Sequence, residues 1–419
     1  MVCIVGLFRA RIAIYGYVWF ALMQPDVLAW CEGKYPFSTM LAVAVLVGSI
    51  PHLSRLPSLF RNPTTRLLLL LQVPLTLSMI FCEGTFLAAD RYVEYTKTIL
   101  VLLMIPIVIR TEKELKTLLI VMAFSMGLFG ARFGFYGLRS GGALFNQTYG
   151  KQYDNNTMGL ALALVIPLCW FCRYLVQSRW IRMALLGTMT ASTAAMIMTN
   201  SRGASLAAAA AFVVMIARSK HRVGVLIAVV LTIGPAIYMV KDQYFNRMST
   251  LSNYDEDASA EGRLTQWKVT LQMIKDYPFL GVGFGSRNYI VVSQRYLKRE
   301  NDIGAHNTYL QMMSDSGIPA LLIYSMLLFG TIIWLGGSAK RIREIHPGSE
   351  FIPIALQASL IAFAVGGTFG SFQRYDFSYI LLMSAASWRI VSETISEDPP
   401  EEAETPEDEI GSLAGAEAS

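Results

Sequence analysis

Charge is what this sequence has least of. Asp, Glu, Lys and Arg make up 16% of its 419 residues, while apolar types make up 54% and the mean hydropathy is +0.44. An ordinary soluble domain carries about a quarter charged residues, so that class is excluded. Histidine is scarcer still, with four in the chain. Five cysteines show no zinc-ligand spacing. "CWFC" (169–172) falls inside an apolar run and reads as packing, and Cys31 could bridge to Cys82 only if both face outward. There is no short apolar core followed by a small-residue cleavage site in "MVCIVGLFRARIAIYGYVWFALM", so the first helix is expected to stay in a membrane. No internal repeat is visible.

What is present is a series of apolar runs of bilayer length separated by short charged connections. That pattern predicts an all-α polytopic membrane protein of about twelve spans. Their centres fall at 12–23, 37–50, 67–81, 95–109, 115–130, 157–172, 183–199, 204–217, 223–240, 307–335, 351–370 and 376–391. The net charge of +5 hides a division. Residues 393–419 hold ten acidic residues and no basic one, so residues 1–392 carry 35 basic against 20 acidic groups, or +15. The excess suits anionic lipid headgroups or a phosphorylated lipid rather than nucleic acid, since no soluble basic domain exists to bind one. Basic clusters recur in alternate connections: Arg55 to Arg66, Arg110 to Lys116, Arg173 to Arg182, "RSKHR" and "AKRIR". The positive-inside rule makes these cytoplasmic. Residues 1–392 are then one transmembrane unit, residues 241–306 a long outward loop between the ninth and tenth spans, and 393–419 a disordered acidic cytoplasmic tail.

Positive charge is depleted on the outward side, so arginines at outward helix mouths call for a reason. Arg202 stands in "TNSRGASLAAAAAFVV", where Ser201 can cap a helix whose free N–H groups attract an anion. A snorkelling interfacial arginine is the plainer alternative. Arg263 opens "GRLTQWKVTLQMIKD"; Leu264, Trp267, Leu271 and Ile274 share a face, which predicts an amphipathic helix on the outer surface. A solvated charge would read the same. "GVGFGSRNY" lacks the strand, turn and lysine of a phosphate-binding loop and reads as a flexible connector. His306 shares a helical spacing with Leu310, Met313 and Gly317, which turns it toward the bundle. A helix N-terminus disfavours imidazolium, leaving a neutral base; a structural, hydrogen-bonded histidine is the other reading. Two cations and a potential base on one side suit chemistry on a diphosphate-linked substrate. "YDED" (254–257) is the acidic cluster that could hold a metal, and it reads more simply as a solvated loop, so no metal or other cofactor is expected.

The motifs "SRGA" (201–204), "GRLTQW" (262–267), "YPFLGVGFG" (277–285) and "AHNTYLQMMSDSGIPA" (305–320) resemble, in order and placement, the O-antigen ligase family, within the superfamily of O-antigen polymerases and bacterial O-oligosaccharyltransferases. That likeness spans roughly residues 185–335. Toward the start, "GYVWFALMQPDVLAW", "YPFSTMLAVAVLVG" and "DNNTMGLALALVIPL" are similar to proteins grouped as O-glycosylation ligases. The resemblance implies a GT-C-type glycosyltransferase of a bacterial inner membrane with a periplasmic active site. Its donor would be an undecaprenyl-diphosphate-linked glycan, used without a metal. By position, Arg202 and Arg263 would hold the diphosphate, His306 would be the essential histidine, and Asn307 would accompany it. Arg374 and Asp376 in "FQRYDF" match the family's polar pair near the last outer loop; "DNN" (154–156) receives no role.

The expected chemistry is a single inverting displacement, in which an acceptor hydroxyl attacks the anomeric carbon as undecaprenyl diphosphate leaves. Lipid A–core is the first acceptor to consider, with a protein hydroxyl or another repeat unit as the alternatives within the superfamily. A transporter of polyprenyl-linked glycans is the rival class; it would show repeated halves and interrupted helices. Topology underlies every one of these expectations. On a background without the native cysteines, Asp255→Cys and Glu300→Cys should react with an impermeant thiol reagent in intact spheroplasts, and Lys220→Cys only after lysis; the reverse pattern removes the ligase reading.

Overall fold

The computed structural model describes residues 2–25, 36–82, 85–139, 154–231, 234, 258–297 and 304–397. Residues 254–257, Cys31 and the tail beyond 397 lie outside these, so the expectations for them stay untested. Among the described residues the chain is helical throughout. Its first half comprises α1 (Val2–Phe8), α2 (Ala10–Met23), α3 (Phe37–Gly48), α4 (Pro57–Arg61), α5 (Pro63–Phe81), α6 (Thr85–Leu102), α7 (Met104–Val108) and α8 (Glu112–Arg139). The second comprises α9 (Asn155–Cys172), α10 (Arg179–Met198), α11 (Arg202–Arg218), α12 (Arg222–Leu231), α13 (Ala258–Asp276), α14 (Ser286–Leu297), α15 (Thr308–Ile345), α16 (Phe351–Gly366) and α17 (Asp376–Glu397).

Each of the twelve apolar stretches contains a helix or part of one. Among the described residues five helices, α5, α8, α9, α10 and α15, are long and apolar enough to span a membrane; α3 with the turn and helix at Ile50–Arg61 makes a sixth, bent by 61°. The helices α2, α12 and α16 are apolar but shorter. Helix α6 is long, yet Asp90, Arg91, Glu94 and Lys97 interrupt its apolar character. Exposed apolar stripes suited to lipid run along two of these helices: Leu70, Val73, Leu77 and Ile80 on α5, and Leu322, Met326, Phe329 and Ile333 on α15, are exposed at helical spacing. Helix α17 continues to Glu397, past the boundary at 393 that composition suggested.

The core is built around α9. Every residue at 158–172 is buried, and the helix packs on α8, α10, α11 and α16. Lipid supplies no hydrophobic drive between helices, so close backbone approach must hold them. Gly159 faces Ala204, Gly130 faces Ser192 and Leu162, and Gly366 faces Ala207, each too close for a β-carbon to enter freely. Cys169 and Cys172 are buried here as packing residues, Cys169 against Thr188.

The bundle has two distinct ends. Glu112, Tyr174, Ser219 and the connection after α15 meet at one: Ser349 donates to Glu112, Tyr174 stacks on Phe351 at 4.4 Å, and the carboxylate of Glu350 lies 3.9 Å from Lys220 and 3.8 Å from Arg343. The basic connections therefore gather together. The other end of α9, about 25 Å away along its axis, carries the residues singled out above.

One helix is broken there. In α15, Gly317 adopts φ +84°, and Pro319 follows. The segment 277–285 lies along the break: Val282 and Gly283 donate to the carbonyls of Ser314 and Asp315 at 2.8 and 3.0 Å, and Ile318 donates to Pro278 at 2.8 Å. Ser78 of α5 adds a bond to the Asp315 carbonyl at 2.6 Å. The expectation of a flexible connector is therefore wrong. Residues 281–285 are buried, and their glycines supply left-handed backbone where a loop presses on a helix. A β-carbon on Gly281 would land on the Ser314 carbonyl, and one on Gly317 on that of Phe279. Gly281→Ala, at φ +65°, should cost about 1–3 kcal/mol from backbone strain alone and lower the thermal midpoint in detergent. Gly187→Ala, on α10 with nothing within 4 Å, should leave it unchanged or slightly raised.

Candidate active site

Three helix beginnings and two loops converge at this end. At the start of α9, Asp154 caps the helix by accepting from Thr157 N–H at 2.7 Å. Asn155 donates to the Thr199 carbonyl at 3.3 Å, and Asn156 accepts from Ser201 Oγ at 2.8 Å. Ser201 in turn accepts from Ala204 N–H at 3.3 Å, so the "DNN" stretch supports the cap that starts α11. Arg202 is the first residue of that helix and is half-buried. Gly203 lets α11 press against Phe369, whose Cβ would stand 2.6 Å from a β-carbon there.

Helix α13 brings Arg263. Of the four residues read as its apolar face, Ile274 is buried and Leu264 and Trp267 are half-buried, but Leu271 is exposed, and the buried face also takes in Gln266, Val269, Thr270 and Met273. Apolar patterning could not see this face, because its polar members are paired: Tyr289 on α14 donates to Gln266 Oε1 at 3.0 Å and shares a 2.9 Å bond with Thr270. Trp267, one turn beyond Arg263, donates from Nε1 to the Ala305 carbonyl at 3.0 Å.

That bond fixes the loop before α15. Ala305 N–H is held by Gln311 Oε1 at 2.9 Å, and Asn307 caps α15 by accepting from Tyr309 and Leu310 at 3.0 and 3.1 Å. Between them His306 adopts φ +49°. It precedes the helix, so its spacing with Leu310, Met313 and Gly317 is not a helical face, and the break at Gly317 would interrupt one. The left-handed backbone and the clamps on either side set its direction instead. His306 is half-buried, and its pKa is lowered, first by burial and then by the positive charge of Arg263; Asp154 opposes the shift. Arg263 and His306 are thus brought together, with the carboxylate of Asp154 as the third charge. Asn307 has its Oδ1 engaged in the helix cap.

Arg374 and Asp376 line a cavity of about 410 Å³ with Arg91, Gln24, Thr157 and Ser371. The cavity borders the histidine loop, because Ser371 donates to Gln311 Oε1 at 3.1 Å. Asp315 is the main charged partner of Arg374, with Glu94 and Asp376 also attracting it and Arg91 repelling it. Sequence reasoning gave Asn156 no role and overlooked Arg91, Gln311, Gln373 and Asp315. A signal existed for the last: an acidic residue inside an apolar span is functional by default.

Trp267→Phe keeps an aromatic side chain and deletes one bond to the loop, worth about 1 kcal/mol. Hydrogen exchange should accelerate at 304–307 while 158–172 stays protected; equal protection at 304–307 would mean that Trp267 does not hold the loop.

Residues 186–325 match the family described as O-antigen ligase, and residues 1–177 match a family of unknown function (DUF5935). No curated protein matches the chain. The ligase match contains Arg202, Arg263, His306 and Asn307, together with the glycine loop and the break in α15, and ends before Arg374 and Asp376. That match covers about a third of the chain and supports an O-antigen ligase family assignment for it.

Proposed function

We propose that this protein is a GT-C-type glycosyltransferase of the bacterial inner membrane. It transfers a glycan from undecaprenyl diphosphate to an acceptor hydroxyl, that of lipid A–core, at the periplasmic face. The observation that carries the reading is that His306, on a clamped loop, lies within electrostatic reach of Arg263 on α13, at the bundle end opposite the gathered basic connections. As the hydroxyl oxygen bonds to the anomeric carbon, the bond to the diphosphate oxygen breaks with inversion. Negative charge grows on the leaving group, where Arg202 and Arg263 offset it. His306 takes the hydroxyl proton. The residues need no metal to do this. Thr157, Ser371, Arg374 and Asp376 offer the cavity the mixed donors and acceptors that a sugar requires. Twelve membrane segments, some of them short or broken, and a periplasmic 241–306 complete the proposed topology.

The break in α15, like the bent pair at 37–61, is a feature that a transporter would also show. Here the freed backbone groups are taken up by 278–283 and do not line the cavity, which supports a fixed scaffold.

The decisive assay combines purified protein, lipid-linked glycan and each acceptor in turn, without divalent metal. His306→Ala should lose transfer by about 10²-fold or more while retaining undecaprenyl diphosphate binding; near-normal turnover makes His306 structural. Arg202→Lys and Arg263→Lys should both weaken donor binding and rate, since a lysine lacks the two-pronged fork. The pH profile tests the base directly. A lowered folded-state pKa keeps imidazole neutral to lower pH, so the acid limb of kcat/KM should fall below the ordinary histidine value of about 6.5. Arg263→Gln removes a repelling charge and should move that limb upward.

A further inference from the structure

Asp315 is fully buried in α15, far in sequence from every residue that lines the cavity, yet bonded to two of the loops beside it. Its Oδ1 accepts from Gln311 Nε2 at 2.6 Å, and its Oδ2 accepts from Gln373 Nε2 at 3.0 Å and from Gly285 N–H at 3.2 Å. Gln311 then turns its Oε1 to the N–H of Ala305 and the hydroxyl of Ser371. Three segments meet on one carboxylate: the histidine loop through Gln311, the cavity wall through Gln373, and the glycine loop directly.

We propose that Asp315 and Gln311 are positioning residues that hold the His306 loop and the Arg374 wall of the cavity in one register, so that the base and the sugar-binding cavity are aligned as a unit. The inference rests on the transferase reading of the site. The orientation of the Gln311 amide is the crux. A side-chain amide has one accepting and one donating end, and here both the Ala305 amide and the Ser371 hydroxyl are donors. Gln311 must offer them its oxygen, which requires its nitrogen to face an acceptor. Only an acceptor at 315 meets that condition, and three donors facing one side chain demand a carboxylate rather than an amide. Asparagine there would place an NH2 against at least one N–H, and the amide of Gln311 would be free to turn over, presenting a donor to the Ala305 N–H. The electrostatic tie of Asp315 to Arg374 links the same carboxylate to the opposite side of the cavity.

Two variants of the full-length protein test this: Asp315→Asn, and Gln311→Leu, which keeps the volume and removes the bridge. In detergent, exchange of the backbone amides at 304–308 should accelerate about tenfold in both, for the loss of one buried hydrogen bond. Exchange at 371–374 should accelerate with Asp315→Asn, while 158–172 stays protected. With undecaprenyl-diphosphate-linked glycan and lipid A–core, kcat should fall by about 100-fold, as expected of a base displaced by about an ångström, with the donor KM little changed. The acid limb of the pH profile should move toward the ordinary histidine value as the loosened loop admits water. If Asp315→Asn does not fold, Gln311→Leu gives the same reading at 304–308. Unchanged exchange in the folded variants, or exchange raised across the whole chain, overturns the proposal. If the unaltered protein transfers no glycan, the transferase reading falls, while the exchange pattern still decides whether the two loops are coupled.

Discussion

Inside a membrane bundle every backbone N–H and C=O has to find a partner, and the break at Gly317 in α15 frees several of them at once. The structure answers by laying the segment 277–285 along the break, so that Ile318, Ser314 and Asp315 exchange backbone bonds with Pro278, Val282 and Gly283. That single requirement orders much of the site end. It demands glycines at 281 and 317, where the two chains come too close for side chains. It brings Gly285 N–H to the carboxylate of Asp315, and it draws Ser78 of α5 onto the same turn. A straight helix would have needed none of this, and would have left the following loop with nothing to lean on.

The site itself is made of helix beginnings. Asp154, Ser201 and Asn307 cap α9, α11 and α15, and Arg202 and His306 sit within one residue of two of those caps. Helix N-termini carry partial positive charge, so converging two or three of them with two arginines makes a region suited to a polyanion and hostile to imidazolium. Burial and Arg263 push the histidine in that same direction, toward the neutral form. The caps are also mutually supporting: Asn156 holds Ser201, and Asn155 holds the Thr199 carbonyl just before it. Two asparagines of α9 therefore support the cap from which Arg202 begins.

Much of the framework was legible from residues alone, because its causes are local. Apolar runs, alternating basic connections and the Ser, Asn and Asp caps are short-range patterns, and each expected span does contain a helix. The motif order around Arg202, Arg263 and His306 also identified the family before any geometry was known. The number of complete crossings was not legible. Composition windows register hydropathy but cannot tell a straight crossing from a bent pair such as Phe37–Gly48 with Ile50–Arg61.

What tertiary structure decided is everything that depends on partners far away in the chain. Gln266 and Thr270 look like surface residues until Tyr289, some twenty positions on, satisfies them and turns that face of α13 inward. "GVGFG" looks loose until α15 breaks beside it. Asp315 looks like an isolated misplaced charge until Gln311, Gln373 and Gly285 surround it. Sequence by itself determined which described segments would be helical, which of them are apolar and which arginines stood out. Only the fold could decide how their polar atoms pair, because a buried hydrogen bond is set by distance in space and not by separation along the chain.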